Sequence, residues 1–227
     1  MLQHIAIIPD GNRRWARAKG LPELMGHKKA VETTLPDLLT AIREAGIKYF
    51  TFWALSPENL ERRSKLELES LYTLIRIFLK ARVAELHEKN VKIRSIGDIS
   101  LIPQDIQKQI ADAEKLTENN TGLVFVVGLN YGGRDEIIRA LKRANDDGID
   151  TKEISKTNLS NYLDTTNMPD PDLIVRTGGE QRTSGFMVWQ AEYAEYIFTP
   201  EFFPDFTPEV LTRCLQEFDE RERRFGK

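Results

Sequence analysis

Two short stretches of this 227-residue chain collect side chains that could bind phosphate and a divalent cation. Pro9-Asp10-Gly11-Asn12-Arg13-Arg14-Trp15 sets a carboxylate, a flexible glycine, an amide and two guanidiniums side by side. Such a turn can aim backbone N–H groups and Arg forks at phosphate oxygens while Asp10 holds the cation, although the same residues also suit a plain Asp-Gly turn. Arg176-Thr177-Gly178-Gly179-Glu180-Gln181-Arg182-Thr183-Ser184 repeats the mixture of Arg, Gly and hydroxyl residues. Two clusters could hold two phosphorylated ligands.

The surrounding pattern puts both clusters where strands run out. Short β-rich apolar runs at His4 to Ile8, Tyr49 to Leu55, Val91 to Ile96, Leu123 to Leu129, Leu173 to Arg176 and Tyr193 to Phe198 alternate with segments of helical period. This alternation predicts an α/β fold, one domain over 1–227 with a central, mainly parallel six-stranded sheet flanked by helices. In open sheets of this kind ligands bind where strands end and loops begin. Lys28 to Ala45 places Val31, Leu35, Leu38, Leu39, Ile42 and Ala45 on one helix face, with Gly46 as a stop and Pro36 expected to kink it. Glu67 to Lys89 carries a wider apolar arc, Leu68, Leu71, Leu74, Ile75, Phe78, Leu79, Val83 and Leu86, with Ile77 beside it. That width suits either a helix buried between sheet and neighbours or the wall of a greasy cavity. Ser56 to Lys65 reads as a polar, mobile loop that could serve as a lid.

Composition bounds the rest. With 41% hydrophobic and 30% charged residues the chain is of ordinary globular make-up, and a net charge of −3 gives no global basic field for nucleic acid or anionic lipid. Phosphate binding must therefore be local. Cys214 is the only cysteine and falls in a predicted helix, Thr207 to Phe225, which rules out an internal disulfide or thiolate metal cage and fits a reducing compartment. Met1 to Asp10 lacks signal-peptide character and no window reaches about 18 apolar residues, so a soluble, cytoplasmic protein is expected. The Asn-x-Ser/Thr matches at Asn119 and Asn158 are read as chance.

In order along the chain stand Ile5-Ala6-Ile7-Ile8-Pro9-Asp10-Gly11-Asn12-Arg13-Arg14-Trp15-Ala16, Gly26-His27-Lys28, Ser56-x-Glu58-Asn59, Asn130-Tyr131-Gly132-Gly133-Arg134, Arg176-Thr177-Gly178-Gly179-Glu180, Trp189-Gln190-x-x-Tyr193-Ala194-Glu195 and Arg221-x-Arg223-Arg224-Phe225-Gly226. Together they resemble the cis-prenyltransferases, of which undecaprenyl diphosphate synthase is the nearest type. The resemblance implies a magnesium-dependent enzyme that joins isopentenyl diphosphate to an allylic diphosphate of farnesyl or geranyl type, in a fold with a hydrophobic tunnel. Asp10 then matches the catalytic, magnesium-binding Asp, and Gly11, Asn12, Arg13, Arg14 and Trp15 match the loop around the allylic diphosphate. His27 matches a histidine near that diphosphate, and a capping or core histidine is the alternative. Arg176, Arg182, Thr183 and Ser184 match the isopentenyl diphosphate pocket, where planar guanidinium forks suit phosphate better than Lys would. Glu195 matches an acidic residue linked to the metal, beside Tyr193 and Tyr196, which are expected to be buried. Ser56 and Asn59 match residues tied to the proton transfer, and Glu58 and Arg62 match loop residues near substrate, a solvated loop charge being the other reading of Arg62.

Four departures from the bacterial type stand out: Pro9 replaces Met, Arg13 replaces Gly, Glu23 occupies an Arg position, and Leu60 replaces Trp. Glu23 puts the wrong sign where diphosphate would bind, so either the loop turns it aside or Arg13 takes over the task. Asp146-Asp147-Gly148-Ile149-Asp150 fits the DDxxD pattern of the all-helical trans-prenyltransferases. It is single here, closes a helix at Gly148 and is read as a solvated helix end. The resemblance leaves three expectations: an elongase making a long polyprenyl diphosphate lipid carrier, a short-chain or irregular coupling enzyme, or a catalytically silent partner subunit. Asp10 argues against the last. The tail motif implies a homodimer, no partner is a nucleic acid, and membrane contact is at most peripheral. Phe125 would shorten the product if it faced the tunnel.

Overall fold

Six apolar strands, β1 (His4–Ile8), β2 (Tyr49–Trp53), β3 (Lys92–Ile96), β4 (Val124–Gly128), β5 (Leu173–Arg176) and β6 (Glu195–Phe198), pair in the order β3-β4-β2-β1-β5-β6. All five pairings are parallel. The computed structural model describes residues 2–221. The Arg223-Arg224-Phe225-Gly226 part of the tail motif lies outside the described residues.

Parallel strands need crossovers, and helices supply them. They are α1 (Asn12–Ala18), α2 (Leu24–Lys29), α3 (Leu35–Glu44), α4 (Pro57–Arg62), α5 (Lys65–Glu88), α6 (Gln104–Thr117), α7 (Gly133–Asp146), α8 (Lys156–Ser160) and α9 (Pro208–Glu220). Alternation along the strands splits the core in two. Ile5, Ile7, Phe50, Phe52, Phe125 and Val175 pack toward α3 and α9, whereas Ala6, Ile8, Trp53, Val126 and Ile174 pack on the opposite face with Phe186 and Tyr131. The sequence's DDxxD match ends α7 as expected, with Gly148 at φ 80° and its N–H donating to the Asn145 carbonyl.

Two expectations change. The helix foreseen over Lys28 to Ala45 is broken into α2, a π-helical turn at Ala30–Thr34, and α3. Pro36 lacks the N–H that would reach the Glu32 carbonyl, and Arg82 of α5 donates to that oxygen at 3.4 Å instead. The kink is thus absorbed by a wider turn. The segment Ser56 to Lys65 is not a loop: α4 fills most of it, capped by a Ser56/Asn59 box, and a Ser64/Glu67 box starts α5. Both boxes are visible as Ser-x-x-Asn and Ser-x-x-Glu spacings, which the charged composition masked.

Candidate active site

The register of β1 on β5 sets Ile8 opposite Arg176, so the turn after β1 meets the end of β5. Gly11, at φ 98°, closes that turn over Phe202, where a Cβ would come within 2.5 Å of the ring. Thr177 ties the two together: its hydroxyl donates to the Asp10 carbonyl at 2.7 Å and accepts from the Asp10 N–H at 2.9 Å. The Asp10 carboxylate accepts from Arg176 Nη2 at 2.8 Å and pairs with Arg14 Nη2 at 3.0 Å. Burial pushes its carboxyl up, but the hydrogen bonds from Arg176 and Arg14 outweigh this and hold it below the ordinary Asp value. Arg176 Nη1 donates to the Arg182 carbonyl at 2.7 Å and the Ser184 hydroxyl at 2.8 Å, which shapes the strand-five cluster. Asp10 and Arg176 therefore share one pocket.

A cavity of about 870 Å³ opens over this pair, lined on its polar side by Asp10, Asn12, Arg13, His27, Arg62, Arg63, Arg182 and Ser184. Its floor is apolar, with Val31, Phe52, Leu71, Leu74 and Ile75. Asn12 Oδ1, His27 Nε2 and Arg176 Nε are buried there without hydrogen-bond partners. The three residues line the cavity, but these atoms are closed off from solvent, so their unmet hydrogen bonds are a cost of the packing around it. Burial, then the neighbouring Arg63 and Arg13, lowers the His27 pKa to about 4, so the ring is neutral. Arg14 lies over the Phe202 ring at 5.4 Å and pairs with Glu180, which also holds Arg182.

Beyond Phe52 and Ile75 the floor continues into an apolar cavity of about 70 Å³ between the sheet and α5. Phe78, Phe125, Leu79 and Leu129 enclose it. Phe125 does face inward, fully buried, with its ring 5.4 Å from Phe50 and 6.2 Å from Phe78.

The structure brings most of the predicted residues together. Ser56, Glu58 and Asn59 also line the large cavity, and Gly11 and Arg14 line the smaller polar recess that adjoins it at Asp10, Asn12 and Arg13. Ser56 and Asn59 are also occupied in capping α4: the Asn59 N–H donates to Ser56 Oγ at 3.3 Å, and the Ser56 N–H to Asn59 Oδ1 at 3.4 Å. Three residues fall elsewhere. Trp15 is buried on the other side of α1, with the Lys19 and Lys29 ammoniums over its ring, because α1 turns Arg13 and Arg17 outward and Trp15 and Ala16 inward. Thr183 lines neither cavity, and its carbonyl accepts the Phe186 N–H at 3.0 Å. Glu195 begins β6 at the register of Leu173, at the edge of the sheet opposite the Asp10 turn, and pairs with Arg221 at 2.9 Å. Three residues of strand rise alone separate the levels of Leu173 and Arg176 by about 10 Å, so this chain does not gather Asp10 and Glu195 into one ligand set. Tyr193 is 71% exposed rather than buried, since it precedes the strand.

Sequence reasoning missed Arg63, which lines the cavity beside Arg13 and His27 and was hidden in a run of loop-like charges. It also missed a buried network behind the strand-five cluster. Tyr131 donates to Glu136 at 2.6 Å, Gln190 donates to Glu136 at 3.0 Å, and Phe186 stacks on Trp53 at 4.9 Å with its edge toward Tyr131. The Gly133 N–H holds the Gly185 carbonyl at 2.9 Å, one residue after Ser184. Only the apolar setting of a Tyr and a Gln around a helical Glu hinted at it.

A parallel sheet whose strand ends carry an acidic, arginine-rich pocket above a greasy recess defines an enzyme for phosphorylated ligands with apolar tails. The comparisons with known proteins make the assignment specific, and the chain belongs to the cis-prenyltransferase family. The prenyltransferase family model described as "Putative undecaprenyl diphosphate synthase" matches residues 8–226. An isoprenyl transferase from Clostridium tetani is 44% identical over 99% of this chain and 89% of its own. A ditrans,polycis-undecaprenyl-diphosphate synthase from Micrococcus luteus, described as specific for (2E,6E)-farnesyl diphosphate, is 44% identical over 99% of this chain and 91% of its own. The crystal structure of lavandulyl diphosphate synthase from Lavandula x intermedia, in complex with dimethylallyl diphosphate, superposes with a TM-score of 0.94 at 36% identity, covering 100% of this chain and 98% of that one.

Proposed function

We propose that this enzyme carries out the magnesium-dependent cis-condensation of isopentenyl diphosphate with an allylic diphosphate, and repeats it to build a long polyprenyl diphosphate. The observation that carries the reading is the Asp10 to Arg176 pair at the head of a cavity that is polar above and apolar below. The allylic diphosphate lies among Asn12, Arg13, Arg14, His27 and Arg63, with its tail on Val31, Phe52 and Ile75. Isopentenyl diphosphate lies against Arg182 and Ser184, which Arg176 holds in place.

Magnesium fits this donor set. No cluster of three or more His, Cys, Asp or Glu side chains occurs among the described residues, and Mg²⁺ characteristically takes one or two carboxylates together with substrate phosphates and water. Asp10, 28% exposed, supplies the carboxylate, and Asn12 lines the same cavity. When bound, the ion would neutralise charge on the departing diphosphate. In the reaction the isopentenyl double bond attacks C1 of the allylic chain, the C1–O bond breaks, and a proton leaves C2 of the isopentenyl unit to give the cis alkene. The Arg groups and neutral His27, already set in place by the fold, receive charge on the leaving oxygens. Ser56 and Asn59, fixed by their mutual cap, keep a hydroxyl and an amide at the cavity wall, and a phosphate oxygen takes the proton.

A second reading, a short-chain or irregular synthase, is favoured by the aromatic closure at Phe50, Phe78 and Phe125, which leaves only about 70 Å³ of apolar space beyond the main cavity. Incubation with farnesyl diphosphate, isopentenyl diphosphate and magnesium, followed by sizing of the products, separates the two: products that stop after one or two additions exclude the elongase. The chain is further proposed to act as a cytoplasmic homodimer, a reading supported by the exposed apolar side chains of Ile138, Val188 and Tyr193 and testable by sedimentation. No helix among the described residues is long and apolar enough to cross a membrane.

A further inference from the structure

Arg13 and Arg17 stand one turn apart on α1, on the face that looks into the recess where Asp10, Arg14, His27 and Arg63 converge. Two guanidiniums at that spacing repel each other, and a bound anion relieves the repulsion. In this chain an internal anion already does so. The Glu23 carboxylate accepts from Arg13 Nε on one oxygen and from Arg17 Nε, at 2.6 Å, on the other. Glu67 adds a looser contact, 3.7 Å from Arg13 Nη1. Glu23 is no loose surface side chain, since it directly precedes α2, which packs on α1 so closely that a Cβ at Gly26 would lie 1.9 Å from the Asn12 carbonyl oxygen.

We propose that Glu23 is an affinity-setting residue that competes with the diphosphate group for Arg13 and Arg17, weakening the hold on allylic and product diphosphates alike. This inference rests on the prenyl diphosphate reading of the same site. The carboxylate takes the Arg13 Nε and the Nε edge of Arg17 and offsets their charge, so a diphosphate meets fewer free donors and a weaker positive field while Glu23 is in place. The consequence is a trade: an incoming diphosphate must displace Glu23, and an outgoing product is helped off by its return. Because Arg13, Arg17 and Glu23 are all partly exposed, the competition is modest and is screened by salt.

The test measures inorganic pyrophosphate binding by calorimetry on the full chain with magnesium, for wild type, Glu23→Gln, and Glu118→Gln as a remote charge control just past the end of α6. Glu23→Gln should tighten pyrophosphate roughly threefold to tenfold at low salt, the gap closing at about 0.5 M salt. Steady-state kinetics should show a lower KM for the allylic diphosphate together with a lower kcat, as release slows. In an Arg17→Gln background the gain from Glu23→Gln should shrink. Equal or weaker pyrophosphate binding in a Glu23→Gln protein of unchanged Tm overturns the inference, and so does a wild type that binds no pyrophosphate. If Glu23→Gln fails to fold, Glu23→Asp, which withdraws the carboxylate by one methylene, must still tighten binding or the inference falls. A wild type that binds pyrophosphate as described but joins no prenyl diphosphates refutes the functional reading and leaves the role of Glu23 standing.

Discussion

Asp10 and Arg176 meet at 2.8 Å across adjacent parallel strands, the arginine side chain 6% exposed and the carboxylate 28%. The enclosed partner is fixed and the other can be reached by a cation. Asp10→Asn should keep the fold and lower turnover by about 100-fold to 1000-fold. Asp10→Ala should in addition cost about 1–3 kcal/mol of stability, because Arg176 loses a charged hydrogen-bond partner in a buried place. Turnover assays at varied magnesium, with urea unfolding, check both, and undiminished activity in either variant would remove Asp10 from the metal site.

Arg176 also shapes the isopentenyl side through the Arg182 carbonyl and the Ser184 hydroxyl. Arg176→Lys keeps the charge but cannot span these partners and Asp10 at once. KM for isopentenyl diphosphate should rise at least tenfold or so, with a smaller change for the allylic substrate. Equal changes for both substrates would contradict the division of the cavity.

Phe125 walls the apolar cavity beyond Ile75, where the proposed elongation would place a growing chain. Phe125→Leu should lengthen the products by one or more isoprene units. Phe125→Ala should lengthen them further while costing about 3–5 kcal/mol, the ordinary range for a buried Phe. Chromatography of the dephosphorylated products gives the answer, and an unchanged length distribution would place the limit elsewhere.

His4 and His27 both have pKa values lowered to about 4 by burial, against 6.5 in the unfolded chain. Between those values the unfolded state takes up protons that the folded state refuses, so stability is whole above about pH 6.5 and falls as pH drops toward 4. His27→Gln should make the fall in urea midpoint roughly half as steep. A slope left unchanged by His27→Gln would mean that His27 is solvated and titrates in the folded protein as it does in the unfolded chain.

Behind the strand-five cluster, Tyr131→Phe leaves Glu136 short of one donor in a fully buried place. A loss of about 1–3 kcal/mol follows. Because the same network backs Phe186 and the Ser184 to Gly185 turn, KM for isopentenyl diphosphate should rise while kcat changes little. Loss of stability with an unmoved KM would make the network purely structural.

The sequence carried the sheet and both arginine clusters because parallel strands buried on two faces leave continuous apolar runs such as Ile5-Ala6-Ile7-Ile8, with chemistry written at their ends. It misjudged α4, where two capping boxes were read as loop polarity, and Tyr193, whose aromatic ring suggested a strand that starts two residues later. Glu195 shows the harder limit. Neighbouring a strand says nothing of which end of the sheet a side chain joins, and the register alone puts Glu195 opposite the pocket. Glu23 could be seen as an anomaly in the sequence, but its partners Arg13 and Arg17 emerge only when α1 and α2 are folded together.

Gly26 lies so close to the Asn12 carbonyl that no side chain fits between α1 and α2 at that point. The backbones that carry Asn12, Arg13, Arg17, Glu23 and His27 are thereby held at one spacing, and rearrangement around a ligand falls to their side chains. Arg62, at the end of α4, and Arg63, just before α5, reach the same cavity from separate elements, so the cations around it are supplied by two independent pieces of the fold.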